Sequence, residues 1–81
     1  MSVLLQANIS IPVATIIDLN KTELIGRLKR DLKLACQSRL EKEFQYCSPV
    51  IDDISYTAVK MLDDCHYKNI EFRVTAHAFP F

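Results

Sequence analysis

The chain predicts an α+β domain in which a small three-stranded antiparallel sheet is covered by one long helix, in the order β-α-β-β. Three observations carry that expectation. Residues 3–14 and 70–78 alternate apolar and polar side chains with a period of two. Residues 20–46 instead repeat apolar positions at helical spacing. The lengths also match, since strands of about 10–11 residues span about 33–37 Å and about 25 helical residues span ~37 Å.

In the first strand Val3, Leu5, Ala7, Ile9, Ile11 and Val13 point one way. Gln6, Asn8 and Ser10 point the other way, with Leu4 and Pro12. Pro12 cannot donate to a ladder, so this end is an edge, a bulge or the exit of the strand. Thr15 to Leu19 continue the alternation and lead into the helix.

The helix is expected over Asn20–Tyr46. Asn20 is a favourable cap, with Glu23 placed for a capping box and Leu19 and Leu24 for a hydrophobic staple. Ser48-Pro49 marks the end, because the residue before a proline is pushed out of the α region. Leu24, Leu28, Leu32, Cys36, Leu40 and Phe44 recur at every fourth position. Each such step gains about 40° on a regular helix, so Leu40 and Phe44 rotate away from the face shared by Leu24, Ile25, Leu28, Leu32 and Ala35. Either the helix crosses a twisted sheet obliquely, or its second half docks on another protomer. Arg39 and Glu43, on the first-half face, favour the second.

Residues 50–62 read two ways. As a helix, Ser48 caps it and Ile51, Ile54, Ala58, Met61, Leu62 and Cys65 share a face. As a strand, Ile54, Tyr56, Ala58 and Leu62 lie opposite Ser55, Thr57, Val59 and Met61. Two strands alone make a poor sheet, which favours the strand. The alternative is β-α-α-β, with the sheet completed across a dimer. Asp63 to Asn69 form the connection. In the last strand Ile70, Phe72, Val74, Ala76 and Ala78 alternate with Glu71, Arg73, Thr75 and His77, and its apolar inner face places it at the centre.

With 81 residues the chain is a single domain over 1–81. A core this small is marginal, which makes self-association a natural expectation. Ten basic and ten acidic residues cancel, so no overall field draws the molecule to nucleic acid or to an acidic membrane. Cys36, Cys47 and Cys65 are odd in number and not closely paired, as suits reduced thiols in a cytoplasm. No signal peptide and no membrane span are expected. A single glycine, Gly26, provides no phosphate-cradling loop, which excludes P-loop and Rossmann chemistry.

Four groups of residues are candidates for function. The uncovered sheet face offers Asn8, Ser10, Arg73, Thr75 and His77, where Arg73 suits a carboxylate or phosphate and His77 acid-base work; an ordinary solvated face fits the same residues. Arg27, Lys29, Arg30 and Lys33 form a basic stretch on the helix that suits phosphates, although Glu23 and Asp31 sit at ion-pair spacing from Arg27. The last strand lacks the aromatic pair that stacks bases. Asp63-Asp64-Cys65-His66, with Cys47 and His77, lacks the paired spacing of a metal site, so no metal and no cofactor are expected. The same residues make a weak Cys-His catalytic pair, and Cys36 on the apolar side of the helix reads as core. Finally, Leu40 and Phe44, with Phe79 and Phe81 at the tail, are candidate oligomer contacts.

The leading expectation is therefore a small non-enzymatic protein-protein interaction or regulatory protein. It would be a homo-oligomer, most simply a homodimer, with a protein partner in the cytoplasm. A nucleic-acid-binding module on the basic helix and a small-ligand binder or enzyme on the polar sheet face are the competing expectations.

Overall fold

In the computed structural model, which describes residues 2–63 and 68–80, six elements follow one another. They are β1 (Val3–Pro12), α1 (Val13–Ile16), α2 (Lys21–Ala35), α3 (Gln37–Glu43), β2 (Pro49–Asp63) and β3 (Lys68–Pro80). The three strands form one sheet in the order β1-β3-β2, with both pairings antiparallel. This is the expected α+β architecture with the last strand at the centre. The helical reading of residues 50–62, and with it the β-α-α-β alternative, is not what forms.

The core explains why β3 is central. Its inner face buries Phe72, Val74, Ala76 and Ala78, and β1 adds Leu5, Ile9 and Ile11. Leu28 and Leu32 of α2 and Leu40 of α3 close over them. β2 contributes only half-buried side chains to this cluster, among them Ile51, Ile54 and Tyr56. The Tyr56 ring meets Phe72 edge-on, with centroids 6.0 Å apart, a favoured aromatic geometry.

The expected cap of the helix is present. Asn20 Oδ1 accepts from the Glu23 amide at 2.8 Å, and Glu23 Oε1 accepts from the Asn20 amide at 3.4 Å. The expected single helix is not. It breaks at Cys36, whose φ of −106° and ψ of 18° leave the helical region. Hydrogen bonds continue on both sides, from the Cys36 amide to Leu32 and from the Leu40 amide to Cys36. The break redirects α3, so Leu40 returns to the sheet and is 5% exposed. The rotation of the apolar stripe is thus resolved within one chain. Arg39 also finds an internal partner, its guanidinium donating to the Leu4 carbonyl at 2.8 Å. The helical segment ends at Glu43, earlier than Tyr46.

Two further differences have local causes. β1 stops at Pro12, and Val13–Ile16 form one helical turn where continued alternation was expected. Proline lacks the ladder donor, and its fixed φ suits the start of a helix. In β2, register shifts fall between Asp52 and Ser55 and between Ala58 and Lys60. A bulge reverses the facing of the residues beyond it. Met61 therefore lies opposite Ile70 on the inner side, and Leu62 opposite Asn69 on the outer side, the reverse of the simple alternation.

Two substitutions test this packing. Gly26 has a negative φ, and a Cβ there would meet nothing within 4 Å. Gly26→Ala should raise unfolding stability by about 0.4–1 kcal/mol. Leu32→Ala, at a fully buried position, should lower it by about 2–5 kcal/mol. Urea unfolding followed by circular dichroism checks both.

Candidate functional site

The outer face of the sheet, on the side away from the helices, gathers the predicted binding residues in successive rows across three strands. His77 lies between Leu4 and Asp52, and Thr75 between Gln6 and Ser55. Arg73 lies between Asn8 and Thr57, and Glu71 between Ser10 and Lys60. Asn8, Ser10, Arg73, Thr75 and His77 therefore do share one face, as the period of two requires.

Each row has its own local chemistry. The hydroxyls of Ser55 and Thr75 are hydrogen-bonded at 2.6 Å. Lys60 Nζ stands 3.9 Å from Glu71 Oε2. His77 Nδ1 is 3.9 Å from Asp53 Oδ2, beyond hydrogen-bond reach, and has no hydrogen-bond partner among the described residues. The His77 ring lies tilted toward Phe79, with centroids 6.2 Å apart. Arg73 is exposed and enters no ion pair among the described residues. β2 supplies Asp52, Ser55, Thr57 and Lys60 to this face. Simple alternation already places Ser55 and Thr57 here, but the bulges hide the placing of Asp52 and Lys60.

Two clefts lie away from this face, beside α3. One of about 330 Å³ is bounded by Lys33, Leu34, Gln37, Leu40, Phe44 and Pro49. The other, about 410 Å³, is bounded by Val3, Leu4, Arg39, Glu43, Phe44 and Pro80. Phe44 stands between them, half-buried and packed against the core.

The other candidates fare differently. Leu40 is buried in the chain's own core. Phe79 is half-buried on the outer face opposite Val50. Phe81, together with Asp64, Cys65 and His66 of the acidic Cys-His stretch, lies outside the described residues. Among the described residues no three His, Cys, Asp or Glu side chains gather as a metal site would require. On the helix, Asp31 accepts from Arg27 Nε at 3.1 Å and lies 3.7 Å from Arg30 Nε. A single carboxylate is thus shared by two of the four cations and offsets one of the four charges in the basic stretch. Lys29 lies about 200° around the helix from Arg27, so the four do not make one cationic strip.

Among the described residues no helix is long and apolar enough to cross a membrane. Comparison with protein-family models, curated proteins and solved structures returned no match. The class defined by the fold is a small α+β protein, with helices on one face of a three-stranded sheet and a polar opposite face.

If the outer face is a free surface, Arg73→Ala should change stability by less than about 0.5 kcal/mol. Phe72→Ala, one position away but on the inner face, should cost about 3–5 kcal/mol. Denaturant midpoints decide this, and a large loss for Arg73→Ala would make the face structural.

Proposed function

We propose that this chain is a non-enzymatic protein-interaction protein of regulatory type that works as a homo-oligomer in the cytoplasm. The observation that carries this reading is the incomplete cover of the sheet. β2 is fifteen residues long, and none of its described residues is fully buried. Val50, Val59 and Met61 on it are 41%, 42% and 57% exposed. The molecule is also extended, 44 × 22 × 16 Å. Its accessible surface is 5690 Å² at 9.3 kDa, against about 5,000 Å² for a compact monomer of that mass. Apolar surface in excess of what a small domain can bury favours association with another protein surface. Cys36 and Cys47 are free thiols, in keeping with a reducing compartment.

The nucleic-acid reading is the less supported one, because Asp31 engages both Arg27 and Arg30. A ligand on the outer face has a more specific support. Arg73, flanked by Asn8 and Thr57, is a cation with polar neighbours that suit a carboxylate or phosphate group. Loss of phosphate-induced chemical-shift changes in Arg73→Ala would favour it.

Sedimentation velocity over a concentration and salt series tests the leading reading. The expected result is a mass of two or more protomers at micromolar concentration that changes little with salt, as apolar burial does. One protomer's mass throughout would overturn the oligomer.

A further inference from the structure

We propose that β2 is the surface of self-association. Two copies pair their β2 edges antiparallel about a two-fold axis at Tyr56, joining two three-stranded sheets into one of six strands. This rests on the homo-oligomer reading above and specifies its surface and register.

β2 is an edge strand, laddered to β3 on one side only. Its other row of backbone donors and acceptors is a template for a further strand. Bulges commonly protect such edges by disrupting their register. Here the two bulges instead select a register. The outer face of β2 carries Val50 and Asp52, then Ser55 and Thr57, then Lys60 and Leu62, as their β3 partners require. The inner face carries Ile51, Tyr56, Ala58 and Met61, and half-buried Ile54 packs on the same core. The facing switches at each bulge.

A second copy can pair along the whole strand only where outer residues meet outer and inner meet inner. That holds when positions equidistant from Tyr56 face each other. Asp53, the bulge residue at φ 54°, then meets Val59 in the other bulge. The partners on the outer face are Asp52 with Lys60, Ser55 with Thr57, and Val50 with Leu62. On the inner face they are Ile51 with Met61 and Ile54 with Ala58. Centring the axis one residue to either side sets an outer residue against an inner one, Lys60 against Ile54 or Asp52 against Ala58.

The same register is complementary in charge. Asp52 and Lys60 are the charged residues of the outer row outside the bulges, and the two-fold axis brings them together twice. Asp53, whose carboxylate lies 3.9 Å from His77 of its own chain, faces the uncharged Val59. Cross-strand partners of opposite charge stabilise a pair, and like charges there oppose it. Lys60 already stands 3.9 Å from Glu71 of its own chain, so it would sit between two carboxylates. The apolar pairs on the inner face would cover Met61 and the half-buried Ile51 and Ile54. A strand complementary to itself in facing, bulge position and charge fits a second copy of this chain.

The test is a charge exchange at the axis, read as mass by light scattering. Asp52→Lys alone sets two Lys-Lys pairs, and Lys60→Asp alone sets two Asp-Asp pairs. Each should raise the dimer dissociation constant by roughly tenfold or more. An equimolar mixture of the two variants restores both attractive pairs and should recover the dimer. If the wild type is a dimer and each variant alone remains one, or the mixture does not recover it, the register fails while the oligomer reading stands. A monomeric wild type removes both. Amide hydrogen exchange on the wild type needs no variant. The β2 amides pointing away from β3 should gain protection as concentration rises, and full exposure in the dimer would overturn the proposal.

Discussion

The constraint on which the rest of this structure depends is the burial of one side of β3. Phe72, Val74, Ala76 and Ala78 must be covered, and only a short stretch of helix is available to do it. A regular helix presents residues at four-residue spacing on a slowly turning line, whereas the sheet offers a nearly fixed direction. The break at Cys36 reconciles the two. It gives up regular geometry at one residue and retains the flanking hydrogen bonds. Burying a leucine is worth about 1.5–3 kcal/mol, so returning Leu40 to the sheet outweighs a modest local distortion.

Once the helices are committed to β3 and β1, too little remains to cover β2. Ile51, Ile54 and Tyr56 reach only half-burial, and Met61 stays exposed. The strand persists because its backbone is laddered to β3 along most of its length and because Tyr56 packs edge-on against Phe72. It is the least protected part of the sheet and carries the longest open edge. Core coverage is thus what leaves this edge of the sheet open.

The polar face is a by-product of the same arrangement. An antiparallel sheet with helices on one side leaves the other to water, and the rows through Arg73, Thr75 and His77 are what solvent meets. Its hydroxyl pair and ion pair are local cross-strand contacts that hold register. Arg73 stands apart as an exposed cation with no carboxylate beside it among the described residues, and that gives the face whatever ligand character it has.

Period-two alternation in residues 3–12 and 70–78 determined by itself which residues of β1 and β3 face inward. It therefore also determined that Asn8, Ser10, Arg73, Thr75 and His77 would share a surface. The capping box at Asn20 is equally local, since a side chain and an amide three residues apart settle it. Only the tertiary structure decided three other matters. Residues 50–62 fit either a helical or an extended pattern, and the ladder to β3 selected the strand. The facings of Met61 and Leu62 depend on bulges that alternation cannot register. Leu40 belongs to the core because the chain breaks its helix at Cys36, and that break repays itself only against the buried side of β3. Local patterns report which side of an element is apolar; where that side is placed depends on long-range burial, which no short stretch of sequence contains.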